Sequence, residues 1–91
     1  MGYAIDYIRV SGRKVGIVGL ADAFNAVRDS GEADPSQVQD RLIELVRRSN
    51  YIPESSEAAY GDALYRAYRR FLGEEVPEDE ETLEIRVYGG D

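Results

Sequence analysis

Apolar residues recur along the chain with two different periods, and the places where one period gives way to the other divide it into elements. Residues 3–10 (YAIDYIRV) are rich in β-branched and aromatic types and read as a strand. Ser11-Gly12-Arg13-Lys14 reads as a turn and Val15–Val18 as the returning strand, so the chain opens with a β-hairpin. Gly16 and Gly19 weaken the second strand and point to a bulge or a close backbone approach. From Leu20 to Ser30 the spacing turns helical, with Leu20, Ala23, Phe24 and Val27 on one face and Gly31 as the left-handed stop. Asp34-Pro35-Ser36-Gln37 predicts a second helix start: Asp34 caps, Pro35 takes the first helical position, and Gln37 completes a capping box. Its buried stripe is Val38, Leu42, Leu45 and Val46, flanked by Ile43.

Asn50-Tyr51-Ile52-Pro53 ends that helix, because the residue before a proline is pushed out of the α region. Ser55 or Ser56 is expected to cap a third helix that runs to about Leu72 and closes at Gly73. Its inner face is Tyr60, Leu64, Ala67, Tyr68 and Phe71, with Gly61 costing about 1 kcal/mol relative to alanine. Glu74–Glu81 is an acidic linker, and Thr82–Tyr88 alternates as a half-buried strand with Leu83, Ile85 and Val87 on one side. The predicted class is α+β: an N-terminal β-hairpin, a three-helix unit, and a C-terminal strand able to complete a small sheet. Residues 1–73 form the body, 74–81 the linker, and 82–91 a terminal strand. That strand belongs either to the same domain or to the start of a following one.

Composition narrows the chemistry. The 91 residues are one domain's worth of chain, and 43% hydrophobic with 32% charged residues is a folded rather than a disordered balance. There is no Cys and no His, so disulfides, thiol catalysis and soft-metal sites lack their atoms. No apolar run approaches a bilayer span and the N-terminus has no signal-peptide pattern, which together predict a cytoplasmic location. The net charge of −7 lies entirely beyond residue 70: the first 70 residues carry ten acids and ten bases, the last 21 carry eight acids and Arg86 alone.

Each candidate chemistry has a plainer structural counterpart. Gly16-Ile17-Val18-Gly19 lies at a strand-to-helix junction where small ligands bind, but it matches neither the dinucleotide nor the P-loop pattern. The acidic run lacks the spacing that converges oxygens on one cation. No cofactor and no catalytic residue is expected. A nucleic-acid-binding regulator would use the hairpin tip Arg13-Lys14 with Arg41, Arg47, Arg48, Arg66, Arg69 and Arg70, although a neutral body and an acidic tail oppose phosphate binding. Four of the six helix arginines, Arg47, Arg48, Arg69 and Arg70, sit in last helical turns, where the helix dipole favours cations. A protein partner would meet Tyr65, Arg66, Arg69 and Arg70 on the third helix, with Tyr65 the exposed aromatic. It would also meet Ile85 and Val87 on the terminal strand, through which self-association is the alternative.

Three stretches carry a family likeness: GRKVGIVGL (12–20), NYIP (50–53) and YGDALYRAYRRFLG (60–73). Together they resemble the N-terminal helical region of small thioredoxin-like proteins from methanogenic archaea and anaerobic bacteria. In that group the segment precedes a glutaredoxin-like domain whose first strand leads into Cys-x-x-Cys, and Leu83–Gly90 looks like that strand. No redox residue can be carried over, since the chain has no cysteine. The resemblance implies a non-catalytic protein-interaction or accessory domain associated with a thiol-redox protein, either appended to it or free-standing.

Overall fold

The computed structural model describes residues 4–75 and 85–88. Most of the acidic linker, residues 82–84 of the terminal strand, and residues 89–91 lie outside the described residues. Strand β1 (Ala4–Val10) and strand β2 (Arg13–Val18) form the expected hairpin. The turn is shorter than the composition suggests. Ser11 and Gly12 alone make it, with φ of 52° and 78°, the two positive values that a type I′ turn requires. Arg13 and Lys14 therefore belong to the ladder, opposite Val10 and Arg9. Such a turn matches the strands' right-handed twist, so pairing runs to the tip. Gly16 makes no bulge. It sits in unbroken register opposite Tyr7, and a Cβ there would come within 3.2 Å of the Tyr7 ring. The close approach is thus between a bare backbone and an aromatic side chain.

Helix α1 (Leu20–Ser30) begins at Gly19, whose φ of 76° turns the chain sharply out of β2, and ends at Gly31 as expected. Helix α2 (Pro35–Arg47) has the predicted cap, with Gln37 N donating to Asp34 Oδ2 at 3.1 Å. The reciprocal half of the capping box differs. Asp34 N donates to Glu32 Oε2 at 3.1 Å, so the acceptor comes from the preceding loop rather than from Gln37. Ile43 is buried and Leu45 only half-buried, the reverse of the expected order within that stripe. Helix α3 (Glu57–Phe71) is entered through a single 3-10 turn, Glu54–Ser56, and no serine side chain caps it. The entry is held instead by Ser56 N donating to Pro53 O at 3.0 Å. At the far end Gly73 N bonds Arg70 O and Glu74 N bonds Arg69 O, a Schellman closure with Gly73 left-handed.

Strand β3 (Ile85–Tyr88) pairs antiparallel with β1, giving a three-stranded sheet of order β2-β1-β3. The terminal strand thus closes the sheet within the chain. The fold is α+β, with the three helices on one face of the sheet. Ile8, Val10 and Ile17 from the sheet meet Leu20, Phe24, Val27, Val38, Leu42, Val46 and Leu64 from the helices in one core. Phe24 links two of the helices through ring contacts to Tyr68 (5.6 Å) and Phe71 (5.2 Å). Gly61 is buried where α3 crosses α2, with Gln39 in the space its side chain would take.

Candidate interaction surface

The residues expected to bind a partner on α3 are largely occupied. Tyr65 is half-buried and packs against the core, with the Arg69 guanidinium 5.9 Å from its ring centroid, so it is not the exposed aromatic. It stands one turn after Gly61, and the buried stripe of α3 includes Gly61 and so widens to the side that Tyr65 flanks. Arg66 donates to Asp62 Oδ2 at 3.0 Å and Arg69 to Glu74 Oε1 at 2.9 Å. Arg70 is half-buried and also engaged. On α2, Arg41 pairs with Glu44 at 2.9 Å and Arg47 with Glu57 at 3.0 Å. Four of the six helix arginines named as a basic surface therefore hold carboxylates, which compensates their charge locally. Ile85 and Val87 occupy the β3 positions opposite Tyr7 and Ile5.

The structure draws attention to a different place, the corner between α2 and α3. Asn50 is its pin. Val18 N donates to Asn50 Oδ1 at 2.9 Å, while Asn50 Nδ2 donates to Val18 O at 3.0 Å and to Val46 O at 2.8 Å. One side-chain amide thus imitates a strand partner at the outer edge of β2 and takes up a carbonyl from the last turn of α2. Two residues on, Ile52 is buried at 3% exposure and its carbonyl accepts from Arg47 Nη2 at 3.3 Å. Between these two fixed points Tyr51 stands 84% exposed. The backbone that carries this ring is held on both sides, so binding has little backbone freedom left to remove. Arg48, three residues before it, makes no ion pair among the described residues.

Two open depressions meet here, both lined by Arg47 and Arg48. One, of about 490 Å³, reaches along α2 to Asp40 and Glu44; the other, of about 540 Å³, runs from Ser49 to Ile52. Both are open, and of their lining residues only Ile43, Tyr51 and Ile52 are apolar, so neither has the enclosed apolar lining of a small-molecule site. Burial pushes the Tyr68 hydroxyl above its ordinary value of 10.0, opposed by the nearby Arg28 guanidinium. That group lies in the core and not at the corner. Among the described residues no group of three or more carboxylates could hold a metal ion, and no helix is long and apolar enough to cross a membrane.

The second exposed surface is the sheet face away from the helices. Residues alternate across a strand, so with Ile8, Val10 and Ile17 in the core, the opposite face carries Ile5, Tyr7 and Arg9 from β1 and Lys14, Gly16 and Val18 from β2. Ile5 and Tyr7 are half-exposed and Val18 is 36% exposed. Lys14 Nζ lies 4.7 Å from the Tyr7 ring centroid, above the bare Gly16. The Gly16–Gly19 junction is taken up by this packing: Ile17 points into the core and the Val18 backbone is held by Asn50. Because Asn50 bonds to Val18, the open face runs directly into the Tyr51 corner.

Comparison with protein-family models, with curated proteins and with solved structures returns no match to this chain. Tyr51 and Asn50 escaped the sequence reading because NYIP was explained there as a helix stop. The available signal was an aromatic placed between an amide and an Ile-Pro pair, where a loop that only stops a helix has no need of one.

Proposed function

We propose that this chain is a non-catalytic protein-interaction domain, an accessory to a thiol-redox protein, which meets its partner at the Tyr51 corner and the adjoining open sheet face. The observation that carries the reading is Tyr51 itself. Exposed aromatics and arginines set in a rigid frame are the residue types that dominate interface energetics, and Tyr51 with Arg48 supplies one of each. The link to redox chemistry rests on the sequence likeness of residues 12–20, 50–53 and 60–73, and a free-standing domain would act through binding alone.

Calorimetric titration with a glutaredoxin-type Cys-x-x-Cys protein from an anaerobe tests both parts. Binding is expected with the intact chain. Tyr51→Ala is expected to weaken it at least tenfold, about 1.4 kcal/mol or more, with the melting temperature unchanged. No heat from the intact chain removes the redox association, and full binding by Tyr51→Ala moves the interface elsewhere.

A further inference from the structure

Residues 7–21 contain Arg9, Arg13 and Lys14 and no acidic residue, although the chain as a whole has 18 acids against 11 bases. Among the described residues none of these three charges meets a carboxylate. Arg9 and Lys14 are direct cross-strand partners, the arrangement in which like charges destabilise a sheet. Arg9 Nη1 reaches only the carbonyl of Gly12, at 3.3 Å, and Lys14 lies over the Tyr7 ring. Arg13 has no carboxylate partner among the described residues. Elsewhere the same fold does the opposite: Arg41, Arg47, Arg66 and Arg69 each hold a carboxylate within 3.0 Å. Local rules broken without local compensation are expected where a ligand completes them.

We propose that the hairpin end of the open sheet face is a recognition site for a carboxylate-rich segment of a protein partner that also carries apolar side chains. The proposal rests on the interaction-domain reading and specifies the partner's chemistry. Carboxylates would answer Arg9 and Lys14, the cross-strand pair on this face, while apolar side chains beside them would cover Tyr7, Ile5 and Val18; Arg13, opposite the buried Val10, lies on the other face and adds its charge only from the hairpin end. Gly16 leaves the track beneath the Tyr7 ring flat. A phosphate polymer fits less well, since the Arg9–Lys14 pair neutralises few phosphates and the strip beside it is apolar.

The test uses the isotopically labelled intact chain, with amide shifts followed during titration with three probes. These are an alternating glutamate–valine hexapeptide, a DNA duplex, and vesicles containing phosphatidylserine. The peptide is expected to shift Tyr7, Arg9, Lys14 and Gly16, and to bind at least tenfold more weakly when salt is raised from 50 mM to 500 mM. Lys14→Glu places an acid opposite Arg9. It is therefore expected to raise the melting temperature while weakening the peptide at least tenfold, a combination that simple misfolding cannot give. Arg13→Glu, at the hairpin end but on the other face, is expected to weaken the peptide less than Lys14→Glu does, and an equal or larger loss would overturn the assignment of the site to the open face. Absence of shifts at millimolar peptide, shifts mapping to other elements, or tighter binding of duplex or vesicles at the hairpin would each overturn the proposal. Peptide failure with Tyr51-dependent partner binding intact overturns this inference alone. Hairpin binding of the peptide with no loss of partner binding in Tyr51→Ala overturns the Tyr51 interface and leaves the hairpin site standing.

Discussion

Asn50 makes three hydrogen bonds to backbone groups of two different elements, Val18 on β2 and Val46 on α2. Removing its amide leaves a donor and two acceptors without these partners, and the Val46 carbonyl is the most enclosed of them. Asn50→Ala is expected to cost about 2 kcal/mol in urea unfolding, since the two Val18 groups can turn to water and the Val46 group can do so less readily. Asn50→Asp is expected to cost at least as much, because it sets a carboxylate oxygen against two carbonyls. Tyr68 offers a different readout at the same scale. Its hydroxyl is raised above 10.0 by burial, so the folded state holds the proton more tightly than the unfolded chain. Its contribution is fully present below pH 10 and is lost as pH rises through the folded value. Melting followed from pH 9 to 11.5 should show a steeper fall for the native chain than for Tyr68→Phe, and identical slopes would exclude the linkage.

The elements owe their ends to local chemistry that is legible from residue types. Asp34, Pro35, Gly31 and Gly73 all do what their chemistry allows: a side-chain acceptor, a missing N–H, and two left-handed stops. The capping box shows where that reading falls short. Gln37 has the right spacing, yet Glu32 reaches the Asp34 N–H, because the bend after Gly31 brings its carboxylate round. Asp34→Ala is therefore expected to lower stability by about 1 kcal/mol, whereas Gln37→Ala should show no capping loss, and equal losses would restore the box. The start of α3 makes the same point. A serine beside a helix start predicts a cap, but a 3-10 turn hung from Pro53 does the work. On α3 the stripe drawn from Tyr60, Leu64 and Tyr68 holds, while Phe71, in phase with it, is 37% exposed because the helix ends there.

At the scale of the molecule the sheet depends on β3. The hairpin alone is two strands, and β1 becomes a central strand only through its pairing with Ile85–Tyr88. Deleting residues 82–91 exposes the β1 edge over Ala4–Tyr7 and should lower the melting temperature by roughly 5 °C, with increased light scattering from edge pairing. Unchanged melting would mean that the β1–β3 ladder adds no stability. The acidic residues beyond position 70 set the net charge, yet every ion pair named on the body joins neighbouring turns or adjoining elements. These surface pairs are worth little individually, and the domain is held by its apolar core.

Period, caps and stops are local physics, so the sequence by itself determined the hairpin, the three helices, most of the core and the α+β class. Neighbouring residues decide those features, and neighbours are visible in a string. What tertiary structure decided were relations between distant residues. Pairing of β3 with β1, the two-way bond from Asn50 to Val18, and the uncovering of Tyr51 each join positions 32 or more apart or depend on such a join. Tyr51 is exposed and Tyr65 half-buried for the same reason. Helical spacing ranks residues around one helix, but exposure is set by what the rest of the chain lays against it.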